Sequence, residues 1–197
     1  MMYRTQNFAR DARASTIMEF GLVAPVMMLM LMGFFDLGHS MYVRSVLQGA
    51  VEKAARDGTL ESGASNSNNL DDKVKAQVRP VAGKWATYVS TRKSYSTFTN
   101  VAQPETFTDT NHNGVRNAGE CFQDVNGNGT YDTDIGLSGQ GTSSDVVLYT
   151  MTVSYPRMFP LYGLLRWSRN VSTSGSTVLR NQPYGVQTTY PSVTICT

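Results

Sequence analysis

The chain has 197 residues, 41% of them hydrophobic, and a formal net charge of +2 at pH 7. That length allows one domain plus an anchor, or two small domains, and the near-neutral balance gives no ground for a nucleic-acid partner. Most of the ten methionines fall before residue 42, whereas the later chain is rich in Ser, Thr, Asn, Tyr and Gly. An apolar, membrane-like segment is therefore expected to precede a polar, β-containing exported domain.

The first segment carries Arg4, Arg10 and Arg13 against Asp11 alone. After it, Phe20 to Phe35 contains no charged residue, and with Ile17 and Met18 before it and Leu37 to Val43 after it the stretch is long enough to span a bilayer. By the positive-inside rule the basic flank stays cytoplasmic and the bulk is exported. A cleaved secretory signal is the competing reading. Against it, the residues after the run, Asp36-Leu37-Gly38-His39-Ser40, hold no small-x-small site. Apolar residues continue instead at helical spacing through Met41, Val43, Val46, Leu47, Ala50, Val51, Ala54 and Ala55. One helix from about Ser15 to Asp57 follows, with its transmembrane part at about 17–41 and Gly58 as its stop. Pro25 lies inside it and removes one backbone hydrogen bond, which a membrane helix tolerates when neighbours re-satisfy the freed carbonyl.

Glu19 and Asp36 fall at the two ends of the apolar run. A boundary carboxylate can snorkel to the headgroups. It can also require a cationic partner, since an unpaired charge deeper in the bilayer is costly. The surrounding residues narrow the choice. Glu19-Phe20, Leu22-Val23-Ala24-Pro25, Phe34-Phe35-Asp36-Leu37-Gly38 and Ala54-Ala55-Arg56-Asp57-Gly58 resemble the N-terminus of the TadE-like family, minor pilins or pseudopilins of the Tad (tight adherence, Flp, type IVb) pilus. The resemblance implies cleavage by a prepilin peptidase between Ala14 and Ser15, with Ala14 standing where the family usually has Gly. It also implies that Glu19, fifth in the processed chain, pairs with the N-terminal amine of a neighbouring pilin subunit. Further partners it implies are an inner-membrane assembly platform and the lipid bilayer. The implied location is the bacterial inner membrane, crossed once, with the domain periplasmic or, after assembly, in the extracellular pilus.

Residues 59–72 read as a polar linker, and 73–197 as an α+β domain in which a small antiparallel sheet packs against one helix. Val74, Val78, Val81, Trp85 and Val89 predict that helix, interrupted at Pro80; Tyr95–Val101, Val146–Tyr155 and Asn170–Arg180 predict strands. Asp145 to Tyr149, the proline loop from Tyr155-Pro156 to Leu164, and Ser176 to Tyr184 resemble the same family's closing elements. Gln182 stands there for a usual Glu. Arg157, Arg166 and Arg169, interleaved with Phe159, Tyr162 and Trp167, read as a surface loop with packed aromatics.

Between these parts, residues 105–140 look like an insertion. Asp109, Asn111, Asn113, Val115 (through its carbonyl), Asn117 and Glu120 fall at positions 1, 3, 5, 7, 9 and 12 of a calcium loop, with Gly114 at the sharp turn. A near-copy runs through Asp124, Asn126, Asn128, Gly129, Thr130 and Asp132; Ile135 occupies its twelfth position, and Asp134 is the acid nearest to hand. Calcium is one reading and a pair of Asn-Gly turns the other. Cys121 and Cys196 can pair in an oxidising compartment, closing a loop of 75 residues, or remain two buried thiols. No Ser-His-Asp pattern, nucleotide-binding glycine loop or zinc spacing occurs, so an enzyme is not expected. Three readings stay open: a pilus-assembly subunit, a membrane-anchored calcium-binding adhesion module that never enters a filament, and an anchored periplasmic hydrolase, which would require a convergent nucleophile and base that the residues do not show.

Overall fold

The computed structural model describes residues 12–60, 67–182 and 186–197. The chain is α+β: a long apolar helix followed by small antiparallel sheets with a second helix. The described residues form two compact units, those up to Tyr42 with Pro156–Val171, and Val43–Tyr155 with Ser172–Thr197.

In the first unit, helix α1 (Ala12–Leu60) presents Ile17, Phe20, Leu22, Met30 and Phe34 outward, each at least 63% exposed. Only 6% of its most apolar window is buried within the protein, so this half is not the core helix of a soluble domain. It is long and apolar enough to cross a bilayer. The loop Pro156–Val171 contains the one-turn helix α3 (Tyr162–Leu165).

In the second unit the same helix becomes a core element. Val43, Leu47, Ala50, Val51 and Ala54 are buried, a stripe at spacings of three and four residues. Helix α2 (Ser67–Ala82) adds Leu70, Val74, Val78 and Ala82 at a regular spacing of four. They cover a sheet of order β3-β1-β4-β5, made of β1 (Thr87–Tyr95), β3 (Leu137–Ser138), β4 (Val146–Pro156) and β5 (Asn170–Arg180). β1 and β4 run antiparallel, from Thr87 opposite Ser154 to Tyr95 opposite Val146. Val147, Tyr149, Met151, Val153 and Tyr155 point to the covered face, the period-two pattern of a half-buried strand. Close approach of helix and sheet needs Gly175 on β5, where a Cβ would lie 3.2 Å from Leu47 Cγ. Gln48 Nε2 there donates to the Ser176 carbonyl at 3.1 Å.

A second sheet pairs β2 (Cys121–Asp124) with β6 (Val193–Cys196), Cys121 facing Cys196 and Asp124 facing Val193. Cys121 and Cys196 are disulfide-bonded. Chain-entropy models assign such a closure roughly 4 kcal/mol. The insertion is thus sewn to the C-terminal strand.

Several boundaries differ from the expectations above. α1 continues past Gly58 to Leu60. α2 starts at Ser67, inside the supposed linker, because buried Leu70 and Asp71 are tied into the domain. It ends at Ala82, since Gly83 takes a left-handed φ of 84° and its N–H caps the Arg79 carbonyl at 3.0 Å; Trp85 and Val89 therefore lie outside it. Pro80 sits in its last turn rather than interrupting it. The strand expected at 95–101 is β1 at Thr87–Tyr95, followed by a 3-10 turn at Phe98–Asn100. β1 escapes an apolar-alternation search because its inward positions include Ser90, Arg92 and Ser94.

Those polar residues converge on α2. Asp71 accepts from Ser90 Oγ and Arg92 Nη2, each at 2.6 Å, and from Tyr149 Oη at 2.7 Å. The Asp71 and Arg92 side chains are only 13% and 14% exposed. Removing one partner strands the others, so Asp71→Ala is expected to cost about 3 kcal/mol, read from denaturant titration in detergent; a loss within error of zero would deny this cluster its role.

Buried phenols predict alkaline sensitivity. Tyr95 is pushed up to about 12, by burial first and then by its bond to Asp134, and Tyr149 is raised by burial and by Asp71. A raised phenol stabilises the fold fully below its ordinary value of 10.0 and ceases to do so as pH rises through the raised value. Melting temperature should therefore fall between pH 10 and about 12, with Tyr95→Phe flattening the fall.

Candidate functional site

Helicity reaches back through the Ala14–Ser15 peptide, which lies in the first turn of α1. Arg4 and Arg10 of the basic leader lie outside the described residues. Glu19 is exposed among exposed Met18 and Phe20 on the lipid-length half of the helix.

Asp36, at the other end of the apolar run, is handled differently. It is 4% exposed and forms an ion pair with Arg157 Nη1. Arg157 is oriented by its Nε donating to the Ser168 carbonyl at 3.0 Å, and its guanidinium lies 5.0 Å from the Trp167 ring centre. Its own N–H closes the loop by bonding the Arg169 carbonyl at 3.0 Å. A carboxylate at the end of the apolar run is thereby paired within one chain. The sequence reading placed Arg157 in a surface loop; only the fold brings it 121 residues back to Asp36.

The two Asn/Asp loops share a set of turn hydrogen bonds. Asp109 Oδ2 accepts from Gly114 N at 2.7 Å, and Asp124 Oδ2 from Gly129 N at 2.8 Å. Asn111 and Asn126 each accept from the residue two ahead, both at 3.1 Å. Asn113 accepts from Val115 N and Asn128 from Thr130 N. Gly114 and Gly129 share a φ of 76°, a region an L side chain rarely enters, which is why the sixth position is glycine.

The acids that close the loops come from different places. Glu120, 3% exposed, accepts from Thr110 N through Oε1 at 2.9 Å and from Asn117 N through Oε2 at 2.8 Å. In the second loop the equivalent bonds are made by Glu105, 1% exposed: Oε1 from Val125 N at 2.9 Å and Oε2 from Asp132 N at 3.1 Å. The correspondence extends to the backbone, where Glu120 N donates to the Asn117 carbonyl and Glu105 N to the Asp132 carbonyl. Glu105 arrives there because Thr106 and Thr108 pair with Gln123 and Cys121 of β2. It precedes the loop it closes, so a search for position 12 could not find it.

Asp134 does not take that place. Its carboxylate holds Lys93 Nζ at 2.7 Å and Tyr95 Oη at 2.9 Å. Burial works against its ionisation, but Lys93, the Gly136 N–H and Tyr95 outweigh it and hold the carboxyl below its ordinary value. Ile135 is buried against Tyr95 and Val146, so the twelfth position serves packing. Glu120 is likewise held low, chiefly by the Asn117 N–H. Among the described residues no ion pair reaches Glu105, Asp109, Glu120, Asp124 or Asp132. No group of three or more His, Cys, Asp or Glu is close enough to hold a metal ion among them either.

No curated protein and no solved structure matches the chain. Residues 14–56 match the family described as TadE-like protein. The match opens at Ala14, takes in Glu19 and Asp36 and ends at Arg56, within α1. Over this helical segment the chain is similar to TadE-like proteins.

Proposed function

We propose that this protein is a minor pilin or pseudopilin of a Tad-type, type IVb pilus. In this reading α1 crosses the inner membrane with its N-terminus cytoplasmic and its domain periplasmic. Prepilin peptidase cuts between Ala14 and Ser15, and the helix passes from bilayer to pilus bundle. Glu19 then pairs with the N-terminal amine of an adjacent subunit, removing two charges from an apolar bundle. The observation that carries the proposal is the family match over residues 14–56, which coincides with an outward-facing apolar helix. The chain acts as a structural subunit rather than an enzyme, and His112, whose Nδ1 lies 3.1 Å from the Asp109 carbonyl, supports the loop's shape.

Calcium is a second proposal, favoured by the turn hydrogen bonds that the two loops share. The donors are hard oxygens, as calcium prefers, with two carboxylates in the first loop (Asp109, Glu120) and two in the second (Asp124, Asp132). Buried carboxylates without cationic side chains need a counter-charge, which a bound dication supplies. The ion would brace the insertion against β2 and the disulfide.

Two experiments test these readings. Glu19→Ala should leave membrane insertion intact but lower recovery in sheared surface filaments by about tenfold, the equivalent of roughly 1.4 kcal/mol. Equal recovery would leave the anchored adhesion module as the better description. For the loops, saturating calcium should raise the melting temperature by several degrees, about 2.7 kcal/mol at a hundredfold excess over Kd. Glu120→Gln should diminish that rise, and a midpoint indifferent to chelator ends the calcium reading.

A further inference from the structure

The loop 157–169 connects β4 to β5. It is closed at its base by Arg157 N–H on the Arg169 carbonyl and held to α1 through Asp36. Leu161 is its inward residue, 6% exposed, while Met158, Leu164, Leu165 and Trp167 are 56%, 64%, 47% and 44% exposed. The turn that presents them is rigid: Leu165 N bonds the Leu161 carbonyl at 2.9 Å and Trp167 N the Tyr162 carbonyl at 3.1 Å. Arg166 and Arg169 are exposed beside them.

Position decides what such a surface meets. Asp36 is the first charged residue after the uncharged run Phe20 to Phe35, so the loop is fastened where α1 leaves the hydrocarbon. One turn further into the run, Met32 and Gly33 are half-buried, so the covered side of α1 extends toward the bilayer. A tryptophan, two leucines and two arginines at that depth match an interface in which rings and aliphatic side chains sit among the upper acyl chains and guanidinium groups contact phosphates.

We infer that the loop 157–169 is a second membrane anchor, which inserts Leu164, Leu165 and Trp167 into the headgroup–acyl boundary of an anionic bilayer and sets Arg166 and Arg169 on lipid phosphates. The inference rests on the membrane-spanning reading of α1. The Asp36–Arg157 pair fixes the depth, because it joins the loop to the helix at the point of exit. Anionic lipid strengthens the contact through the arginines.

The test uses the full chain reconstituted into vesicles with and without phosphatidylglycerol. Trp85→Phe leaves Trp167 as the sole tryptophan of the two, and Met28→Cys carrying a fluorophore reports the span separately. Trp167 should be quenched by lipids brominated high on the acyl chain, more strongly when phosphatidylglycerol is present. Arg166→Ser with Arg169→Ser should remove the dependence on anionic lipid. An unquenched Trp167 beside a quenched residue-28 probe overturns the anchor and leaves the span standing. If neither is quenched, the span fails and the anchor with it. Quenching of Trp167 by a nitroxide-labelled second copy, and not by lipid, overturns the anchor in favour of a subunit contact.

Discussion

One helix must satisfy two surroundings, and most of the structure follows from that. Up to Tyr42, α1 offers apolar side chains to its outside, where lipid or other helices can take them. From Val43 it offers a narrow stripe, Val43, Leu47, Ala50, Val51 and Ala54, to its own domain. The first half is apolar all round, as a membrane span is, and the second is amphipathic, as a core helix is. No linker separates them within Ala12–Leu60. In the proposed role this division is what a pilin helix needs: the outward half exchanges lipid for neighbouring subunits while the inward half keeps its domain folded.

Charge is the second organising constraint, because each carboxylate outside bulk water needs an answer. Asp36 has Arg157 and Asp71 has Arg92, both supplied by the fold itself. Asp134 has Lys93. In the proposed reading Glu19 meets the amine of another subunit, and the loop acids Glu120 and Asp124 meet calcium. Three kinds of counter-charge thus correspond to three proposed relations, within the chain, between chains and with an ion.

How much of this was legible in the residues depended on whether the signal was local. α1 was, since hydropathy and spacing along one segment define it, and Val146–Tyr155 and Asn170–Arg180 read as strands because strand-forming residues alternate along them. β1 was not, because its inward face is Ser90, Arg92 and Ser94, of which the first two are answered by Asp71 on a different element and the third by the Leu137 carbonyl. The first Asn/Asp loop is contiguous, so the residues that shape its turn and the acid that closes it lie together in the sequence. The second was visible without its acid, because Glu105 comes from before the first loop and reaches Asp124 only through the pairing of Thr106 and Thr108 with β2. Arg157 was legible as a basic residue among aromatics, but its partner, 121 positions away, was not.

In the proposed role α1 is a processed polymerisation helix and not a permanent anchor. N-terminal sequencing of the protein from sheared surface material and from membranes separates the two. Processing predicts chains beginning at Ser15 in the sheared fraction. Chains beginning at Met1, found in membranes and absent from sheared material, would contradict it.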